Sequence, residues 1–262
     1  MVINELRLSP NHDCFGHALT RANYNTAYIG KWHLWANQLG HHNQIGNAFT
    51  PPGPYRLGFD GYWAGYNFSH HSHGAVYFED TCDPIPYEGY EADTQTDMAI
   101  NFLQNTNPKE NPFALFLSWG PPHDPWGSDN LPEGYWERFH DCDIQPRPNF
   151  STQQDPYADN WATMPDDYRN NLQDYMRGYY AQVANIDWNL GRIMDIVDQL
   201  GIADNTYFVF TSDHGEMWGS QGRRAKNIFY DEACRVPFLI RHPNLAQNST
   251  NDVCLNTTDL MP

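Results

Sequence analysis

Nine apolar residues, Leu172, Met176, Tyr179, Val183, Ile186, Leu190, Ile193, Val197 and Leu200, step by threes and fours along the chain. That period predicts one long amphipathic helix from about Asp167 to Leu200, and Gly201 stops it. Asn205-Thr206 then leads at once into a β-rich run, Tyr207 to Thr211. A second helix is predicted from Tyr90 to Gln104, with Ala92, Thr96, Ala99, Ile100 and Leu103 on one side. It precedes a near-continuous apolar run, Phe113 to Trp119, which reads as a strand buried on both faces of a parallel sheet. A short helix from Cys14 to Asn23 and β-prone runs at 26–29 and 236–240 extend the alternation. The expected fold class is α/β, a largely parallel central sheet flanked by helices, in one domain over residues 1–262. Residues 35–90 and 126–166 read as irregular insertions, long surface loops with short strands such as Ala75 to Phe78.

Open α/β sheets present their chemistry at the carboxyl ends of strands. Four such places carry titratable groups: Lys31 with His33, His123, Asp213 with His214, and Lys226 in the Gly- and Arg-rich loop that follows. Lys31 and His33, two residues apart, are expected on one face of an extended segment. Asp213 offers a hard oxygen ligand, and His214 a second ligand or a donor to an anion. With carboxylates from elsewhere they could hold Ca²⁺ or Mg²⁺. Lys31 and Lys226 are point charges suited to phosphate or sulfate. His33 and His123 could donate to the same oxyanion or serve as acid and base. Taken singly, a histidine after a strand is more often a packing residue, and Asp-His-Gly more often a turn. Only their joint placement argues for a site. His70-His71-Ser72-His73 could bind a metal, but no helix or strand fixes its spacing, so it reads as a solvated or substrate-lining loop.

The formal net charge of −17 argues against a nucleic-acid partner. It also makes the three lysines informative, since two of them, Lys31 and Lys226, fall in the strand-end motifs. No apolar run approaches membrane-spanning length. Glu5 and Arg7 stand where a signal peptide would be apolar, so no export signal is read there. The five cysteines are dispersed without a CxxC pair, which speaks against a thiolate metal site.

Four segments, Thr26 to Leu34 (TAYIGKWHL), Ser118 to Pro125 (SWGPPHDP), Asn205 to Gly219 (NTYFVFTSDHGEMWG) and Ala225 to Arg241 (AKNIFYDEACRVPFLIR), resemble the sulfatase family of the alkaline phosphatase superfamily. Gly178 to Ile193 resembles the family helix that precedes the metal-binding strand. The resemblance implies an alkaline-phosphatase-like fold, incomplete at both ends, and hydrolysis of a sulfuric ester. By it, Asp213 and His214 ligand a divalent cation, calcium in most of the family, with magnesium the alternative. Lys31 and His33 contact the nucleophile and the sulfate, while His123 and Lys226 bind the sulfate oxygens. His123 or a neighbour is placed to protonate the leaving alcohol. The implied partner is a sulfated small molecule or carbohydrate, and the many Trp and Tyr in the loops suit sugar stacking.

The chain also departs from the family pattern. Sulfatases make a formylglycine from the first residue of Cys/Ser-x-Pro/Ala-x-Arg, upstream of Gly-Lys-Trp-His, and a nearby pair of aspartates completes the metal site. Neither stands before Lys31. Cys14 is followed by Phe15-Gly16-His17-Ala18, and Cys82-Asp83-Pro84-Ile85-Pro86 lacks the arginine and lies on the wrong side. The expectation is an internal fragment of a sulfatase, inactive as it stands, from an exported parent. Two rival readings are a phosphodiesterase or phosphonate hydrolase of the same superfamily, and a non-catalytic carbohydrate- or anion-binding remnant.

Overall fold

The computed structural model describes residues 6–35, 41 and 44–260. Its helices and strands, numbered in chain order, are α1 (Phe15–Arg21), β1 (Asn25–Lys31), β2 (Tyr62–Tyr66), β3 (Val76–Tyr77), β4 (Ile85–Pro86), α2 (Glu91–Asn105), β5 (Phe113–Ser118), α3 (Trp136–Phe139), α4 (Asp166–Asn170), α5 (Leu172–Gln199), β6 (Phe208–Thr211), α6 (Asp231–Cys234) and β7 (Phe238–Arg241). The central sheet is parallel, in the order β2-β1-β5. Side chains alternate across it with period two. Ala27, Ile29, Ala64, Leu115 and Leu117 face Ala99, Phe102 and Leu103 of α2 and Ile193 and Val197 of α5. Tyr28, Trp63 and Phe116 face the other way, onto Trp32, Leu57 and Phe59, and Phe15 of α1 stacks on Phe116. Burial of each such large side chain contributes about 1.5–3 kcal/mol, so β1, covered on both faces, anchors the sheet. Among the described residues, no helix is long and apolar enough to cross a membrane.

Three features depart from the sequence reading. β6 and β7 pair antiparallel, Phe208 opposite Arg241 and Thr211 opposite Phe238, in a sheet of their own. Phe208 and Phe210 rest on the same α2–α5 layer as the parallel strands, so the hairpin shares the core without joining the central sheet. Second, β5 is only half-buried along its whole length. Among the described residues its single strand partner is β1, and Val209, Leu239 and Ile240 of the hairpin stay 43%, 61% and 46% exposed. Third, the stretch read as surface loop contains β2, an integral strand, and a buried cluster of Ala48, Tyr66, Ala75, Phe78 and Tyr87.

Candidate functional site

β1 and β5 run parallel and end on the same edge of the sheet. Lys31 closes β1, and the chain then turns: Trp32 is buried and His33 takes a left-handed φ of 53°. Lys31 and His33 are therefore not two residues of one extended face, because the strand ends between them. His123 follows β5. Asp213 and His214 follow β6, and Lys226 lies in the next loop. That loop is pinned by Glu216, whose Oε1 accepts from the backbone N–H of Ala225 at 2.6 Å.

These groups converge. Lys226 Nζ lies 3.0 Å from His123 Nε2. The rings of His123 and His214 are 6.4 Å apart. His214 Nε2 is 3.3 Å from Asp213 Oδ2, and its Nδ1 is 2.8 Å from the carbonyl of Gly215. Phe68 ties the near side together, with its ring 5.7 Å from His33, 4.6 Å from His70 and 5.8 Å from the Lys31 ammonium.

The electrostatics follow from burial and from two cations sharing a small space. Burial pushes Lys31 down, and Lys226 pushes it further, against the opposing pull of Asp213, Glu91 and Asp124. Lys226 is also pushed down by burial, with Asp213, Glu216 and Asp124 opposing. Burial, then Lys31 and Lys226, bring His33 down to about 4. His123 falls to about 4 chiefly through burial, despite its bond to Asp124. At neutral pH these two imidazoles are uncharged and the positive charge resides on the two lysines. In a chain of net charge −17, two lysines this close together are a local concentration of basic groups.

A family model described as Sulfatase matches residues 5–262. The chain belongs to the sulfatase family. It is 31% identical to the ulvan-active sulfatase of Formosa agariphila, over 100% of this chain and 47% of that protein. It is 27% identical to the N-acetylglucosamine-6-O-sulfatase of Bacteroides thetaiotaomicron, over 99% of this chain and 54% of that protein. A solved structure described by the metabolism of multiple glycosaminoglycans by Bacteroides thetaiotaomicron is 25% identical, with a TM-score of 0.77 over 96% of this chain and 52% of that one. This sulfatase-family chain thus spans about half the length of the curated relatives it matches. Its α/β architecture is the alkaline-phosphatase-like fold of the family.

Several side chains around these groups were not singled out in the sequence. Asp124 Oδ1 lies 2.5 Å from His123 Nδ1 and 3.5 Å from His70 Nδ1. Burial alone would raise this carboxyl, but the two imidazoles hold it well below the usual carboxylate range. Of the histidines at 70–73, only His70 stands against His123, with ring centroids 4.2 Å apart. His73 turns away to the carbonyl of Leu131 and the ring of Tyr90. Among the described residues, His70, His123 and Asp124 are the one trio whose ligand atoms lie within 4.8 Å of one another.

Glu91, in the first turn of α2, is only 2% exposed. Its Oε1 accepts from the Tyr66 hydroxyl at 2.5 Å and from the Gln95 amide at 2.8 Å. Burial lifts this carboxyl from 4.5 to about 7. A carboxyl raised on folding adds stability that is complete below its unfolded pKa and is lost as pH rises through the folded value. Glu91→Gln keeps both acceptor contacts and cannot ionise. The parent should lose roughly 3 kcal/mol relative to this variant between pH 4.5 and 7. Urea unfolding of both proteins across that range checks it, and parallel stability curves would refute it.

Proposed function

We propose that Lys31, His33, His123 and Lys226 hold the sulfate group of a sulfate ester for hydrolysis, as one wall of a sulfatase active site. The observation that carries this reading is the meeting of Lys226 with His123 at 3.0 Å, beside a Lys31 whose ammonium feels the charge of Lys226. Two of three lysines, one closing β1 and one in the loop beyond β6, suit a compact oxyanion better than a packing role. The lysines bind sulfate oxygens and offset the charge that develops as the ester bond breaks. On this reading His123 and Lys226 bind the sulfate oxygens, with His123 or a neighbour placed to protonate the leaving alcohol, and Lys31 and His33 contact the nucleophile and the sulfate. Residues 1–262 are on this reading part of a catalytic domain.

The family implies a divalent cation, and Asp213 and His214 fit it in donor type: one hard oxygen and one imidazole. They supply two of the six to eight ligands that calcium takes. We assign them to that cation, calcium before magnesium. When bound, the cation would polarise a sulfate oxygen as a Lewis acid. The sequence contains no Cys/Ser-x-Pro/Ala-x-Arg, so the 262-residue chain holds no source of a formylglycine. The relatives act on ulvan and on N-acetylglucosamine-6-O-sulfate by their names, which favours a sulfated carbohydrate as the substrate class here.

The chain is expected to bind an aryl sulfate or inorganic sulfate in the presence of calcium without turning the ester over. Calorimetry and a colorimetric assay with an aryl sulfate test both halves. Hydrolysis above a Lys226→Ala control would overturn the second half. An aryl phosphonate bound tenfold more tightly than the sulfate would move the assignment to the rival phosphonate class.

A further inference from the structure

His123 Nδ1 and Nε2 have neighbours of opposite kinds. Nδ1 faces two acceptors, Asp124 Oδ1 at 2.5 Å and the Asp124 carbonyl at 3.1 Å. Nε2 faces the Lys226 ammonium at 3.0 Å, which can donate and cannot accept. A neutral imidazole has one N–H and one lone pair, so only one tautomer satisfies all three contacts: the proton on Nδ1, the lone pair on Nε2. An imidazolium would set a second N–H against the ammonium. We infer that Asp124 is a positioning residue, whose carboxylate holds the His123 proton on Nδ1 and thereby presents Nε2 as the acceptor that aims Lys226 into the site.

The rest of the neighbourhood fits this role. His70 Nδ1 reaches the same carboxylate oxygen at 3.5 Å, and its ring meets His123 edge-on at 4.2 Å. Asp124 is thus gripped from two sides, and His70 cannot swing without losing both contacts. Lys226 has three N–H groups. One is taken by His123 Nε2, and the other two remain for an anion. In the free protein His123 therefore acts on the anion through Lys226. To donate to a bound sulfate oxygen as well, as proposed above, Nε2 must first take up a proton, which a bound anion favours. The same logic orients imidazoles elsewhere, where a carboxylate on one ring nitrogen decides what the other presents.

The inference concerns the group proposed above to hold the sulfate, but it is read out as a tautomer and needs no ester. The 262-residue protein, labelled with ¹⁵N-histidine, would be examined at neutral pH by long-range ¹H–¹⁵N correlation, with the His123 signals identified by their loss in His123→Gln. The expected result is a protonated Nδ1 and a bare Nε2. With the ammonium removed by Lys226→Ala, the Asp124 carboxylate should still hold the proton on Nδ1, and adding Asp124→Ala should shift His123 towards a mixture of tautomers; Asp124→Ala alone should weaken binding of inorganic sulfate on the order of tenfold. His70→Ala should leave the tautomer in place, because Asp124 still accepts from His123. A protonated Nε2 in the parent protein would overturn the proposal, and so would a folded Lys226→Ala/Asp124→Ala protein with the same tautomer as Lys226→Ala. If Asp124→Ala does not fold, the parent spectrum decides alone. Loss of sulfate binding with the predicted tautomer intact would tell against the sulfate site and leave this inference standing.

Discussion

Alanine at position 30 is expected to cost the protein its fold. Gly30 lies in β1, opposite Gly65 of β2 and Ser118 of β5, one residue before Lys31. Its φ is +102°, and a Cβ built there would lie 2.0 Å from the Ser118 carbonyl oxygen and 2.8 Å from its carbon. The obstacle is backbone of the paired strand, which cannot rotate aside as a flexible side chain would. Either β1 and β5 separate or Gly30 leaves its conformation, and both routes displace Lys31. Positive φ adds about 1–3 kcal/mol for a residue with a Cβ. With the clash the total should exceed about 4 kcal/mol, a large part of the roughly 5–15 kcal/mol that holds a typical domain. Gly46→Ala is the matched control, since a Cβ there meets nothing within 4 Å; it should change stability by about 0.5 kcal/mol or less. Urea denaturation followed by circular dichroism separates the cases. A Gly30→Ala protein that unfolds cooperatively at nearly the parent midpoint would show the clash to be relieved by some unforeseen adjustment.

The helices were legible in the sequence because one side of each is core and the other is solvent, so burial writes a period of 3.6. α2 and the body of α5 lie within a few residues of where that period puts them. β2 was not legible for the opposite reason. Trp63, Ala64, Gly65 and Tyr66 are all buried, and a strand covered on both faces leaves no alternation, here with glycines and prolines close by. Strand direction is also non-local. The runs at β6 and β7 stood out as strands, yet nothing in either says that they pair with each other and not with β5.

The site divides in the same way. Lys31 and His123 could be named because one closes β1 and the other follows β5, and parallel strands bring such ends together; Lys226 stood out as one of three lysines, in the loop beyond β6. His70 reaches His123 across 53 residues of chain, a contact that no local pattern announces. Asp124 stood in plain view beside His123, but an acid between His and Pro in a proline-rich turn looks like turn chemistry. Glu91 likewise looks like an ordinary acid at a helix amino terminus; only its burial against Tyr66 and Gln95 marks it out.

Removing the ammonium of Lys226 is expected to weaken binding of inorganic sulfate by one to two orders of magnitude. A charge-assisted hydrogen bond from a part-buried donor is worth about 1.5–3 kcal/mol, and 1.4 kcal/mol is about a factor of ten. One effect runs the other way: Lys226 pushes the Lys31 ammonium down, so Lys226→Ala lets Lys31 hold its proton more readily. That relief is partial, because burial is the larger cause at Lys31 and remains. Lys31→Ala should therefore fall in the same range, and the double variant should bind no measurable sulfate. The pH dependence has a fixed sign. Both lysines are depressed in the free protein and a dianion favours their charged forms, so affinity is full at lower pH and is lost as pH rises through the depressed lysine values. Lys109, exposed on the surface, controls for net charge, and Lys109→Ala should bind sulfate as the parent does. If Lys226→Ala and Lys109→Ala bind alike in calorimetry at the same ionic strength, the cation at Lys226 is not part of an anion site.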